Sequence, residues 1–156
     1  MKIKFLLIFL IGHTINATAA RIDTLKIMSP SMQKIIPNLV IIPDSYSASA
    51  KKYPVLYLLH GATDDYKGWV TKVPSIKSYA DQYNFIIVCP DGGYTSWYFD
   101  SPIDKQMQYE TYISKELVGT IDHKYNTLAQ KRGRAITGLS MGGHGAFYLA
   151  FKHQDI

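Results

Sequence analysis

The sequence has 156 residues, of which 47% are hydrophobic and 19% charged, which predicts one globular domain and excludes an intrinsically disordered chain. The formal net charge is +5, but the basic residues are scattered and form no stripe of the kind that binds nucleic acid. Cys89 is the single cysteine, so an intrachain disulfide is excluded and a buried core thiol is expected.

Residues 1–20 have the organisation of a secretory signal peptide. A basic start precedes a short apolar run (5–12), and small residues then lead up to Ala19 and Ala20. This pattern predicts cleavage after one of these two alanines and a secreted or periplasmic product. The apolar run is too short for a transmembrane helix, which needs about 20 apolar residues. The remaining residues, 21–156, are expected to form the domain.

The rest of the chain alternates between strand-like and helix-like segments. Apolar, β-branched runs typical of strands occupy 21–28, 35–42, 54–59, 85–89 and 134–139. Apolar residues recur at helical spacing in 74–84 and 108–125. Strands that alternate with helices imply βαβ units, so the sequence predicts an α/β fold with a mostly parallel sheet of about five strands and flanking helices. Pro37, inside the second run, favours an edge position for that strand.

The first of two informative loops begins at His60-Gly61-Ala62, where the buried run 54–59 ends. Gly61 allows the backbone to turn so that the amide of Ala62 points into a site, as an oxyanion donor does. His60 is a tentative substrate-binding residue, but a catalytic role is disfavoured. At the end of a buried strand, a histidine that shapes the loop is the favoured interpretation.

The second loop, 94–102, is aromatic and irregular and follows the run 85–89. Loops at the carboxyl edge of a parallel sheet bind substrates in open α/β folds. Two interpretations of Trp97, Tyr98 and Phe99 stay open: they line a pocket for an aromatic or sugar group, or they pack the loop onto the domain. Trp97 and Tyr98 are the tentative substrate-binding residues of this loop.

Acidic side chains elsewhere favour structural roles. Asp64 and Asp65 are interpreted as turn and capping residues. Glu110 and Glu116 are expected to face solvent or loop on their helix rather than to act as a general acid. The sequence has neither a Cys/His metal spacing nor a glycine-rich phosphate loop, so we predict no metal and no cofactor.

The segment that carries chemistry is Gly138-Leu139-Ser140-Met141-Gly142, which joins a strand-like run to an apolar run of helical character. A serine flanked by glycines at such a junction is the pattern of a nucleophile elbow. The glycines remove Cβ atoms that would collide in the tight turn. The serine hydroxyl would stand clear of the sheet at a helix N-terminus, where negative charge is favoured. The alternative is an ordinary serine in a glycine-rich turn.

Together these motifs resemble the esterase D-like branch of the α/β-hydrolases, which includes S-formylglutathione hydrolases, feruloyl and acetyl-xylan esterases, tributyrin esterases and mycolyltransferases. The segments that carry the resemblance are 53–61, 64–69, 109–117 and 138–143. The resemblance implies that Ser140 is the nucleophile and that the N–H groups of Ala62 and Met141 form the oxyanion hole. His60 departs from the aspartate of mycolyltransferases, which favours an esterase over a trehalose-type acyltransferase.

The resemblance also implies a catalytic acid and then a histidine after the serine. His153 would lie about 20 Å from Ser140 along a helix that rises ~1.5 Å per residue. His144 would point along the helix body, and Asp155 lies near the helix's far end. We therefore expect 21–156 to be an incomplete α/β-hydrolase domain that stops before its acid and base and is inactive alone.

By the same resemblance, the strands present are the first five of eight, and segment 134–139 becomes an unprotected sheet edge. The helix after the serine would leave Phe147, Leu149 and Phe151 uncovered. The domain alone is therefore expected to aggregate, to dimerise through this edge or to fold only in part.

Two functions stay open from the sequence. The first is a secreted serine esterase that acts on a small-molecule or carbohydrate-linked ester through an acyl-enzyme. The second is a non-catalytic half-fold that binds carbohydrate or a partner protein. A peptidase of the same fold is disfavoured because the Leu-Ser-Met-Gly-Gly context resembles the esterases. Neither a nucleic-acid partner nor stable membrane insertion after leader removal is expected.

Overall fold

A computed structural model of the chain describes residues 19–47 and 51–156. Its sheet contains β1 (Arg21–Ser29), β2 (Lys34–Ile42), β3 (Val55–Leu59), β4 (Ile86–Pro90) and β5 (Arg134–Gly138), in the order β1-β2-β4-β3-β5. β3 runs parallel to β4 and β5, whereas β1–β2 and β2–β4 are antiparallel. The predicted five-stranded α/β arrangement is confirmed, with mixed pairing. The predicted signal peptide lies outside the described residues except for Ala19 and Ala20.

The helices flank this sheet. They are α1 (Gly68–Lys72), α2 (Ile76–Tyr83), α3 (Tyr109–Thr111), α4 (Val118–Lys124) and α5 (Met141–Lys152). A π-helical segment (Tyr112–Leu117) joins α3 to α4, and a short 3₁₀ turn (Lys131–Gly133) precedes β5. The predicted helix over 108–125 is thus confirmed, although the wider π segment was not predicted. Within the described residues, no helix has the length and apolarity that crossing a bilayer requires.

Alternate residues of the central strands face opposite helical layers, because successive side chains of a strand point to opposite faces. Tyr57 and Leu59 of β3 belong to the buried cluster formed with α3, α4 and α5. Leu58 belongs to a second cluster formed with α1 and α2. Cys89 lies in this second cluster, where burial raises the pKa of its thiol to about 12. It is the buried core thiol that the sequence predicted.

The position predicted for Pro37 is wrong. β2 pairs with β1 on one side and with β4 on the other, so it is an interior strand. The β2–β4 register begins one residue later, at Asn38 opposite Pro90. The carbonyl of Pro37 accepts a hydrogen bond from the amide of Asp91 at 3.1 Å. Because this hydrogen bond uses Pro37 only as an acceptor, the missing proline N–H is tolerated.

β5 forms one end of the described sheet, as the resemblance implied. Its residues alternate between half-buried and exposed, so its two faces are incompletely covered. On the adjoining helix α5, Phe147 is 70% and Phe151 77% exposed, whereas Leu149 is fully buried. The expectation that Leu149 would be uncovered is wrong because its side chain belongs to the cluster between α5 and the sheet.

Candidate active site

Ser140 lies at the junction between β5 and α5, in a backbone conformation that serines rarely adopt. Its φ of 55° and ψ of −118° lie outside the helical and extended regions. The carbonyl of Ser140 accepts the amide hydrogen of His144 at 3.0 Å, so α5 begins immediately after the serine. The side chain is exposed. A strained, exposed serine between a strand and a helix has the geometry of a nucleophile elbow.

The two glycines of the motif allow this turn to pack against β3. A Cβ added to Gly138 would lie 2.5 Å from the carbonyl carbon of Gly142. A Cβ added to Gly142 would lie 2.4 Å from the carbonyl oxygen of Leu59. Both distances are far below van der Waals contact, so a side chain at either position would push the serine out of place. The steric role predicted for these glycines is supported by this geometry.

The loop after β3 lies beside the serine. A Cβ built on Gly61 would lie 3.5 Å from the Cβ of Ser140. In the described part of the chain, the amides of Ala62 and Met141 donate to no protein acceptor. Two unpaired N–H groups beside a candidate nucleophile are what an oxyanion hole requires. Met141 follows Ser140 directly and Ala62 follows Gly61, so both amides are candidate oxyanion donors, and the hole itself stays a prediction.

His60 holds this loop against the neighbouring one. The ring is 1% exposed, and Nε2 accepts a hydrogen bond from the amide of Gly92 at 2.8 Å. An accepting Nε2 carries no proton, so Nδ1 carries it and donates to the carbonyl of Gly61 at 2.7 Å. Both nitrogens are engaged and the ring is buried. His60 therefore presents no surface to a substrate here, and its contacts support the loop-shaping interpretation.

Tyr98 is buried beneath the site. Its ring lies between two glycines, since an added Cβ would lie 2.4 Å from the ring at Gly92 and 2.3 Å at Gly145. Its hydroxyl donates to the carbonyl of His60 at 3.0 Å. Burial raises the pKa of Tyr98 well above its usual range. Tyr98 thus links the two loops to α5, and it presents no exposed surface for a substrate.

Trp97 occupies the opposite side of the same loop. It is 46% exposed, and its ring packs edge to face on His144 with centroids 5.4 Å apart. Phe99 packs in the same way on His144 at 5.1 Å and on Tyr148 at 4.6 Å. Since His144 lies one turn after Ser140, this aromatic cluster places Trp97 on the side of the domain that carries the serine. Tyr98 thus packs inward, as the packing interpretation expects, whereas Trp97 faces outward and its role in substrate binding stays a prediction.

Glu110 is not solvent-facing, so that expectation is wrong. The residue is 7% exposed, and its carboxylate accepts hydrogen bonds from Tyr148 at 2.6 Å and from Lys152 at 2.9 Å. Its other oxygen lies 2.9 Å from Nε2 of His153. Glu110 therefore holds the far end of α5. Burial raises the pKa of Glu110, but these hydrogen bonds outweigh that effect and hold it below its ordinary value.

The other carboxylates also have structural partners. Glu116 accepts a hydrogen bond from the Ser29 hydroxyl at 2.6 Å and one from the Ser31 amide at 2.9 Å, so it ties its helix to the turn after β1. Asp64 accepts from Lys72 at 2.6 Å, and Asp65 accepts from the amide of Lys67 at 2.7 Å. Among the described residues, no group of three or more histidine, cysteine or acidic side chains is arranged to hold a metal ion.

Among the described residues, no base contacts the hydroxyl of Ser140. Within the residues that the structure describes, it has no hydrogen-bond partner. His144 is occupied by the aromatic cluster, and His153 contacts Glu110 at the opposite end of α5. A histidine within hydrogen-bond reach is needed to take the serine proton. The described residues therefore bring together a candidate nucleophile and candidate oxyanion donors, but no base.

The amino-acid sequence is similar to those of an esterase and an acyltransferase. Esterase Rv1288 of Mycobacterium tuberculosis is 37% identical over 117 residues, which cover 73% of this chain and 25% of that protein. The diacylglycerol acyltransferase/mycolyltransferase Ag85A of the same organism is 32% identical over 141 residues. These residues cover 85% of this chain and 39% of that protein. The chain thus spans well under half the length of these relatives.

Solved structures resemble the fold. A ferulic acid esterase superposes with a TM-score of 0.77 at 32% identity, covering 87% of this chain and 54% of that one. The fluorophosphonate-binding serine hydrolase F of Staphylococcus aureus superposes with a TM-score of 0.78 at 23% identity, covering 88% of this chain and 54% of that one. At this identity the likeness shows the fold alone. Residues 29–156 match the family model described as "Putative esterase". With this match over most of its length, the chain belongs to the esterase family.

Proposed function

We propose that the chain carries the nucleophile and oxyanion hole of a secreted serine carboxylic-ester hydrolase. The observation that carries the proposal is the strained elbow at Ser140, with the unpaired amides of Ala62 and Met141 beside it. Membership of the esterase family and the 37% identity to an esterase support the reaction class. The leader-like residues 1–20 support export.

The proposed mechanism forms an acyl-enzyme. The Ser140 oxygen attacks the ester carbonyl, and the oxyanion that develops accepts hydrogen bonds from the two amides. The alcohol leaves with a proton, and water then hydrolyses the acyl-serine. A base must take the serine proton in the first step. Since the described residues place none at Ser140, we propose that other residues of the protein supply it and that this chain alone turns over little.

The substrate class is proposed from Trp97. Its half-exposed ring, fixed on His144 near the serine, offers an apolar face for an aromatic or sugar group. The similarity to a ferulic acid esterase agrees with an ester of an aromatic acid or a carbohydrate-linked ester. Hydrolysis is favoured over acyl transfer to trehalose because His60 replaces the aspartate of mycolyltransferases.

A second candidate is a non-catalytic module that binds carbohydrate or a partner protein. It is favoured by the absence of a base at Ser140 in the described part of the chain. The esterase proposal is the stronger one because a binding module has no need for a strained serine or for the glycines around it.

Two variants test the proposal in the protein expressed from its whole reading frame. Ser140→Ala should lower turnover of short acyl esters by a factor on the order of 10⁴ or more. Ala62→Pro removes one oxyanion donor and should cost roughly 3 kcal/mol in the transition state, seen in kcat more than in KM. Unchanged turnover in the Ser140→Ala variant would exclude Ser140 as the nucleophile. Strong hydrolysis by residues 21–156 alone, lost in Ser140→Ala, would show that these residues do supply a base.

A further inference from the structure

Ala20 is part of the folded domain although it belongs to the leader-like segment by sequence. It is fully buried, whereas Ala19 is exposed. Its methyl group lies in the apolar cluster between the sheet and α2, which includes Leu39, Ile41 and Ala80. Among the described residues, burial in the domain therefore begins at Ala20, one residue before β1 begins.

The nitrogen of Ala20 faces the carboxylate of Asp81, which pairs with no cation of the described residues. It donates a hydrogen bond to Oδ2 of Asp81 on α2 at 3.0 Å, and the amide of Asp44 donates to Oδ1 at 2.7 Å. Among the ion pairs of residues 19–47 and 51–156, none involves Asp81. This half-buried carboxylate is thus held by two backbone amides and lacks a positive partner.

The sequence before Ala20 fits cleavage at the same boundary. Signal peptides are cut after small residues at the last and third-last positions of the leader. Ala17-Thr18-Ala19 satisfies this rule, whereas the alternative cut after Ala20 would place Thr18 at the third-last position. Two independent observations, the burial boundary and the small-residue spacing, therefore select the bond between Ala19 and Ala20.

We propose that leader removal cuts after Ala19 and that the new α-ammonium group of Ala20 forms a structural ion pair with Asp81. The inference rests on the export part of the proposed function. Water adds across the peptide bond, so that the C–N bond breaks, Ala19 leaves with a carboxylate and Ala20 gains an ammonium group. The peptide nitrogen seen here stands where that ammonium nitrogen will lie. A charged donor makes a stronger hydrogen bond to a carboxylate than an amide does.

The alternative cut after Ala20 would leave a less complete domain. It would remove the buried methyl group from the cluster and one of the two donors from Asp81. The new terminus would be Arg21, whose side chain is exposed and lies 3.6 Å from Asp23. The processed N-terminus therefore acts as the first element of the fold, fastened to α2, rather than as a loose end.

The first test is the N-terminus of the exported protein. The full chain is expressed in an exporting bacterium, and the secreted or periplasmic product is analysed by N-terminal sequencing and intact mass. Ala20 as the first residue is the expected result. Arg21 or any other first residue, or an uncleaved product, overturns the proposal. Because ester hydrolysis is not measured, a failure here is distinct from a failure of the serine mechanism.

The second test asks whether the ammonium group is engaged. An amine-selective acylating reagent at neutral pH should modify Ala20 about tenfold more slowly in the native protein than in concentrated urea, as expected for a hydrogen bond between charged groups. Asp81→Asn should remove most of this protection, whereas Asp155→Asn, a control at an exposed position, should retain it. Equal rates in native and unfolded parent protein overturn the proposal even if Asp81→Asn does not fold.

Discussion

The hydroxyl of Tyr98 donates a hydrogen bond to the carbonyl of His60 over 3.0 Å. This bond crosses from the aromatic loop after β4 to the loop that presents Ala62, and both groups are buried. Because His60 also accepts from Gly92 and contacts Gly61, the loop that presents Ala62 is held by several fixed contacts. Preorganised donors of this kind are what stabilises developing charge without a cost of rearrangement.

Replacement of Tyr98 by phenylalanine should therefore affect both stability and turnover. Tyr98→Phe leaves the buried His60 carbonyl without this donor, which should cost about 1–3 kcal/mol of unfolding free energy. Looser positioning of the loop that presents Ala62 should also lower kcat in the whole protein. Tyr94→Phe is the matched control, since Tyr94 is 69% exposed. Equal urea midpoints for the two variants would contradict this role of Tyr98.

Two glycine-to-alanine variants on helices should have opposite effects. At Gly145, the new methyl group would meet the ring of Tyr98 at 2.3 Å, and such overpacking should destabilise by about 1–3 kcal/mol. At Gly119, in α4, it would meet nothing within 4 Å, and alanine should stabilise the helix by about 0.5–1 kcal/mol. Urea unfolding of both variants checks the prediction. A neutral Gly145→Ala would show that Tyr98 does not pack tightly on α5.

The contribution of Glu110 to stability should depend on pH. Since the folded-state pKa of Glu110 lies below its ordinary value, its stabilising effect is present above the unfolded pKa of about 4.3 and lost as pH falls through the folded pKa. Glu110→Gln should therefore be less stable than the parent at neutral pH, and the difference should shrink in acid. Urea titrations across pH 3–7 measure it. A pH-independent difference would contradict a role for the charged carboxylate.

The end of the sheet at β5 should drive self-association. Phe147 and Phe151 are exposed beside this strand, and an unprotected edge can pair with a second copy. We expect the chain to sediment as dimers or larger species, and Phe147→Lys with Phe151→Lys to shift it toward monomer. Ile103→Lys is the control, since Ile103 is 92% exposed elsewhere. A monomeric parent with a sharp thermal transition would contradict the prediction and favour the binding module.

Much of the fold could be predicted because its signals are local. The apolar run at 54–59 and the three- and four-residue spacing from Tyr109 to Tyr125 each report burial along one element. The elbow was equally visible, because the turn at Ser140 requires glycines at fixed neighbouring positions. The position of Pro37 was missed since it depends on which strand lies beside β2, and that is set by distant parts of the chain.

The parts of the site that sequence did not reveal depend on distant contacts. The sequence around Glu110 is typical of a solvated helix carboxylate. In the fold, α5 brings Tyr148, Lys152 and His153 into contact with it. Tyr98 and Trp97 are adjacent and similar in character, yet one is buried and the other half-exposed. The φ values are positive, 61° at Tyr98 and 55° at Trp97, and the two side chains point in different directions. No residue pattern in this loop predicts such a conformation. The contact of Ala20 with Asp81 is another long-range pairing of this kind.

Covalent trapping of an acyl analogue tests most directly whether Ser140 is the nucleophile. The protein expressed from its whole reading frame is incubated with a fluorophosphonate, digested and analysed by tandem mass spectrometry. One adduct is expected, on the oxygen of Ser140, and none is expected in Ser140→Ala. An adduct on another residue, or an equally labelled Ser140→Ala variant, would contradict the assignment of Ser140 as the nucleophile.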